Sequence, residues 1–97
     1  MTTSYRFLHL GINFTTKTAT PEAIGEVQNI LNKAKDWYRY APNCWIIYTA
    51  IDPKAWNERL KKIPWMTEQR YLICPIDTES KSGWLARDTW EWINRKR

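Results

Sequence analysis

His9 is the single histidine of the chain. Its ordinary pKa suits proton transfer near neutrality, so it is a candidate general base for ribonuclease-type chemistry. No partner stands at a recognisable spacing from it, and the competing reading is a packed or interface histidine. Asn13 ends the same stretch. As a candidate catalytic position, an amide there is a degenerate metal ligand or a phosphate contact, or it serves as a turn residue at a strand end. Asp77, with Glu79 nearby, follows a later strand-like run and reads as a loop carboxylate. Cys44 lies in an apolar run with no base near it in sequence, so an inert strand thiol is expected.

Two further patterns suit nucleic acid. Trp37, Tyr38, Arg39 and Tyr40 interleave aromatic rings with a cation. Such a run can stack single-stranded bases, at roughly 1–3 kcal/mol per base, while Arg39 takes a phosphate. The competing reading is an edge strand whose rings pack on the core or on a partner. Lys54, Lys61 and Lys62, with Arg59, form a basic helix face that could follow a phosphate backbone. Glu58 dilutes it, and a solvated face is the alternative.

The elements that must position these residues are legible from periodicity. Tyr5 to Phe14 alternates, with Leu8, Leu10, Ile12 and Phe14 on one face and Tyr5, Phe7, His9, Gly11 and Asn13 on the other. Period two predicts a strand. The second face is unusually apolar, and cover by a second subunit or by the C-terminal segment is expected. After a polar loop from Thr15, Thr20 caps a helix beginning at Pro21, with Ile24, Val27, Leu31 and Ala34 at helical spacing. Gly25 inside it suggests close packing.

Asp36 to Tyr40 reads as an edge strand, turned by Ala41-Pro42-Asn43 into a buried strand, Cys44 to Ile51. Asp52 and Pro53 then cap and open a second helix to about Lys62, with Trp56, Leu60 and Ile63 on one stripe, until Pro64 stops it. Arg70 to Ile76 is a fourth strand, with Leu72, Cys74 and Ile76 on one face and Pro75 marking an edge. Trp84 to Asn94 is helix-like, with Leu85, Thr89, Trp92 and Ile93 as its stripe. This order predicts an α+β fold, a ferredoxin-like βαββαβ sandwich with an added C-terminal helix. Both main helices then share one face of the sheet and leave the other free. The fourth strand runs antiparallel to the first, so Asp77 is expected far from Asn13.

At 97 residues the chain makes one domain, 1–97, large enough for a two-layer core. Seven Trp and five Tyr exceed what such a core needs, which leaves some for an interface or for base stacking. The net charge of +5, from 15 Lys and Arg against 10 Asp and Glu, favours an acidic partner such as nucleic acid or merely keeps the domain soluble. Its densest basic cluster is Arg95, Lys96 and Arg97. Cys44 and Cys74 lack metal-site spacing and read as buried free thiols of a reducing compartment. Met1 to Ser4 lacks the pattern of a signal peptide, and no run is long enough to span a membrane. A cytoplasmic protein with no membrane partner is expected.

Three stretches resemble a known family: His9-Leu10-Gly11-Ile12-Asn13-Phe14; Trp37-Tyr38-Arg39-Tyr40 followed by Cys44-Trp45-Ile46-Ile47-Tyr48-Thr49; and Tyr71-Leu72-Ile73-Cys74 with the later Gly83-Trp84 and Trp92-Ile93. Element order and aromatics together resemble the SinR-like branch of the CRISPR-associated small nuclease superfamily, the second Cas protein and its relatives. The resemblance implies a homodimer of ferredoxin-like subunits. It also implies an Asp at the end of the first strand that, with its copy in the partner, holds a divalent metal for phosphodiester cleavage. Here that position is Asn13, which offers one neutral oxygen where a hard cation wants anionic ones. The expectation is a nucleic-acid-associated dimer that binds RNA or DNA, needs no cofactor and lacks robust hydrolysis. One alternative is a metal-dependent endoribonuclease, which would take a divalent metal such as Mg²⁺. The other is a protein-interaction module, an antitoxin or assembly scaffold, that meets another protein through exposed aromatics.

Overall fold

The threonine and aspartate caps form as their residue types dictate. In the computed structural model, which describes residues 4–14, 20–78 and 82–96, Thr20 accepts from the Ala23 N–H at 3.1 Å, and helix α1 runs Pro21–Leu31. Asp52 accepts from the Ala55 N–H at 2.8 Å and opens α2, Pro53–Leu60. Each cap satisfies a helix N–H that would otherwise lack a partner, and each Pro sits where no N–H is needed. The strands are β1 Arg6–Asn13, β2 Asp36–Ala41, β3 Cys44–Thr49 and β4 Arg70–Pro75. A single 3-10 turn, Met66–Glu68, leads into β4, and α3 runs Arg87–Lys96. The polar loop expected from Thr15 lies outside the described residues up to Thr20, as do Glu79, Arg97 and the first three residues.

The four strands form one antiparallel sheet in the order β2-β3-β1-β4. Both predicted edges are edges, and Pro75 stands on one of them, where its missing N–H costs no ladder bond. The architecture is a small α+β domain with three α-helices among the described residues, compatible with a ferredoxin-like arrangement.

Alternation along β1 splits the molecule into two cores. Leu8, Leu10 and Ile12 meet Trp45 and Ile47 of β3 under Val27 and Leu31 of α1 and Trp56 and Leu60 of α2. This is the larger core, and Ile63 and Met66 complete it. Tyr71 and Ile73 bring β4 onto the same core, so Leu72 turns away and is 65% exposed.

The opposite sheet face is not left free. Phe7 and Ile46 lie beneath Trp92 and Ile93 of α3, with Tyr38, Tyr48 and Ile76 packed around them. The apolar second face of β1 is therefore covered by the chain's own C-terminal helix. That helix begins later than the sequence suggests. Leu85 precedes it outside the helix, while Thr89, Trp92 and Ile93 are buried as its stripe predicts. Two anchors hold α3 to β2: Trp92 Nε1 donates to Asp36 Oδ2 at 3.0 Å, and Lys96 pairs with the same oxygen at 2.7 Å.

Gly25 does not serve close packing, since a Cβ there would have nothing within 4 Å. The cysteines are free, as expected, and half-buried rather than sealed in the core. No helix among the described residues is long and apolar enough to cross a membrane.

Candidate nucleic-acid interface

Asn13 stands exposed at the end of β1, on the sheet face that α3 leaves open. Antiparallel pairing sets Arg70, the first residue of β4, directly across from it. Opposed side chains on one face of a ladder are neighbours at roughly 5 Å between Cβ atoms. The β2–β3 turn closes the other side. Asn43 is fixed to β1 twice, accepting from the Ile12 N–H at 3.0 Å and donating from its side-chain amide to the Ile12 carbonyl at 3.1 Å. Arg39 reaches the same end of the sheet from β2. Its Nε and Nη2 donate to the Pro42 carbonyl at 3.0 and 2.6 Å, and it lines one cleft with Asn13, Phe14 and Asn43. Arg70 lines the neighbouring cleft with Asn13, Asn43 and Leu72. The end of β1 thus carries two amides, with Arg70 beside them on the open sheet face and Arg39 on the α1 face.

That charge pattern does not fit a hard divalent cation at Asn13. Such an ion takes several oxygens, preferably anionic, whereas the cross-strand neighbour here is a guanidinium that repels it. The same pattern suits a phosphate, which guanidinium and amide N–H groups bind directly. Asp77 follows the other end of β4, where Ile76 N–H donates to the Phe7 carbonyl at 3.1 Å. It is remote from Asn13, as the antiparallel order requires.

The aromatic–cation quartet is divided by its own alternation. Trp37 and Arg39 face the α1 side, where Trp37 Nε1 donates to Asn32 Oδ1 at 3.0 Å and the Arg39 guanidinium lies 5.7 Å from the centre of the Trp45 ring. Tyr38 and Tyr40 face the α3 side, and the Tyr38 ring lies 5.6 Å from that of Trp92. The four side chains do not form one stacking platform. Lys54 on α2, and Lys61 and Lys62 in the turn that follows it, are exposed, and the helix ends two residues before the predicted Lys62. Lys61 pairs with Glu58 at 3.5 Å, and Arg59 lies over the Trp56 ring at 5.1 Å. This helix packs on β4, whereas the aromatic strand is the opposite edge of the sheet. The structure therefore separates the two predicted nucleic-acid patches.

His9 does have a partner, unreadable from spacing because it is 31 residues away: the Tyr40 hydroxyl. A register shift between Arg39 and Ala41 makes Tyr40 the extra residue of a bulge, a device that re-aims a side chain. Glycine at position 11 gives the imidazole its room, because a Cβ there would lie 3.2 Å from His9 Cε1 and 4.0 Å from Cys44 Sγ. Burial lowers the His9 pKa, so the ring is neutral at pH 7. Burial, then the Cys44 thiol beside it, pushes Tyr40 up to about 12, so the phenol keeps its proton. Its hydroxyl and Nε2 of the neutral ring share one hydrogen bond, whose direction follows the imidazole tautomer. A cavity of about 340 Å³ opens beside this pair, under α3 and the segment that precedes it.

Sequence reasoning missed Arg70, Asn43 and Trp84. Arg70 was within reach of it, because an antiparallel fourth strand must start beside the end of the first. Trp84 gives no such signal, since one Trp among seven does not announce its exposure. No protein-family model, curated protein or solved structure matches this chain.

Proposed function

We propose that this chain is a nucleic-acid-binding protein of the ferredoxin-like class, resembling the SinR-like branch of the CRISPR-associated small nucleases and acting as a homodimer. The observation that carries the proposal is the pairing of Asn13 with Arg70, with Asn43 and Arg39 at the same sheet end. Two guanidinium groups and two amides there are suited to phosphate oxygens, and the +5 net charge draws a polyanion toward them. Lys54, Lys61 and Lys62 extend the attraction along α2. Arg39 keeps the phosphate role its sequence suggests, held by the Pro42 carbonyl and over the Trp45 ring. The reading is binding without metal-dependent hydrolysis, because a cation faces the position where the resembling family carries its metal-binding Asp.

The test is anisotropy of labelled single-stranded RNA, single-stranded DNA and duplex, each with Mg²⁺ and with EDTA, with products examined on a gel. Salt-sensitive binding with intact strands is expected. Fragments that vanish in EDTA would replace this reading with a nuclease. Absence of binding, with a stable complex to another protein, would replace it with an interaction module.

A further inference from the structure

The rings on the α3 side of the sheet form a connected series that ends at the surface. Trp92 meets Phe7 at 5.8 Å between ring centres, Phe7 meets Tyr48 at 5.1 Å, and Tyr48 meets Tyr5 at 5.3 Å. Phe7 and Trp92 are buried, Tyr48 is half-buried and Tyr5 is 44% exposed. The inner rings belong to the second core, so they hold the outer one on a fixed support. Of the ring pairs among the described residues, Tyr5 and Tyr48 alone lie nearly parallel, at 22°, while the others are tilted or edge-on.

Cations gather around this pair. Asp36 lies across from Tyr48 in the β2–β3 ladder, and its chain neighbour Lys35 places its ammonium 6.0 Å from the centre of the Tyr5 ring. Lys96, near the end of α3, reaches the same place through its 2.7 Å contact with Asp36, and Arg95 beside it is exposed. The Asp36 carboxylate is itself engaged: one oxygen accepts from the Trp37 N–H at 2.9 Å and the other from the Trp92 indole and Lys96. An exposed ring on a rigid stack, with ammonium groups at its rim, has the parts of a single-strand site, in which a base lies on the ring and the backbone meets the cations. The flexible four-carbon stem of Lys35 lets its ammonium move from the ring to a phosphate as a base arrives.

We infer that Tyr5, on its Tyr48 support, stacks one unpaired base of a single-stranded nucleic acid, while Lys35 takes the adjoining phosphate. The inference rests on the nucleic-acid reading above and deepens it, because it adds a place for a base to a place for phosphate. Tyr5 precedes β1 and Asn13 ends it, so the two places lie about 26 Å apart along the strand, at about 3.3 Å per residue. Substitutions at the two ends should therefore add rather than interfere. A duplex keeps its bases stacked on one another and gains little from Tyr5.

The test is fluorescence anisotropy on the full chain with a labelled single strand and with an abasic strand of equal length. The base-bearing strand should bind at least about 5-fold more tightly, the lower end of what one stacked base contributes. Tyr5→Ala should abolish that ratio and leave abasic binding unchanged, with far-UV dichroism showing an intact fold. Tyr5→Phe, which keeps the ring, should retain the ratio. Lys35→Ala should weaken both strands and make the salt slope shallower by about 0.7. An Arg39→Ala, Arg70→Ala variant should weaken both strands and keep the ratio. Photo-crosslinking of an iodouracil-bearing strand to the wild-type chain gives a reading free of variants, and the label should map to Tyr5. A label on another ring, or a ratio that survives Tyr5→Ala, would overturn Tyr5 as the stacking residue. Salt-sensitive binding with no advantage for bases would overturn the inference and spare the phosphate reading. Base-dependent binding that needs Tyr5 and ignores the Arg39 and Arg70 variant would do the reverse. Binding of neither strand would overturn both.

Discussion

At the scale of single residues, the environment decides which chemistry survives. His9 is neutral because it is partly desolvated, and that has a pH signature. The unfolded imidazole titrates near 6.5, while the folded one titrates lower. Between the two values the unfolded chain binds more protons. Stability is therefore full above about pH 6.5 and falls as the pH drops through the window beneath it. Urea midpoints measured from pH 7.5 down to 5 should show this decline, and His9→Gln should flatten it. An unchanged slope in the variant would place the effect elsewhere. The two wholly buried tryptophans offer a second residue-scale contrast. Trp45 Nε1 donates to Gln28 Oε1 at 3.3 Å, whereas the buried Trp56 Nε1 has no acceptor. Replacement by Phe removes a bond in the first case and an unsatisfied donor in the second. Trp45→Phe should cost about 1 kcal/mol more than Trp56→Phe in chemical denaturation.

At the scale of elements, the third helix is the piece whose placement matters most. It converts an open sheet face into a second core and roofs the cavity. Asp36 is its anchor. Partial burial alone would raise that carboxyl, but hydrogen bonds from Lys96, the Trp37 N–H and the Trp92 indole, together with the Lys96 charge, hold it below the usual carboxylate value. Its contribution is present above about pH 4 and is lost as pH falls through the lowered pKa. Asp36→Ala should loosen α3, read as reduced near-ultraviolet dichroism of Trp92, at a stability cost of about 1 kcal/mol for a partly solvated pair. An unaltered aromatic signal would show that apolar packing of Trp92 and Ile93 suffices. The sequence carried the two caps, the edge status of β2 and β4 and the two faces of β1 because each depends on neighbours in the chain. It carried the burial of Trp92 and Ile93 through helical spacing. It could not carry their docking site, since the Asp36–Trp92 bond joins residues 56 apart. The His9–Tyr40 pair was hidden for the same reason, and further by a bulge that alternation alone does not foretell. The aromatic–cation quartet was visible as composition, but strand alternation sends its members to opposite faces.

At the scale of the whole molecule, the charge and the sheet end belong to one account. A +5 domain attracts polyanions generally, but a defined place for phosphate needs donors held in fixed relation. The ladder between β1 and β4 fixes Arg70 against Asn13, and the doubly bonded Asn43 fixes the turn beside them. The most direct test is the dependence of single-strand affinity on salt, compared between the wild-type chain and an Arg39→Ala, Arg70→Ala double variant. Each phosphate contact contributes about 0.7 to the slope of log affinity against log salt for a single strand. The account predicts a slope shallower by about 1.4 in the double variant, with a smaller change for Lys61→Ala, Lys62→Ala. An identical slope in the Arg39 and Arg70 variant would contradict it, because the phosphates would then be held somewhere other than the end of β1.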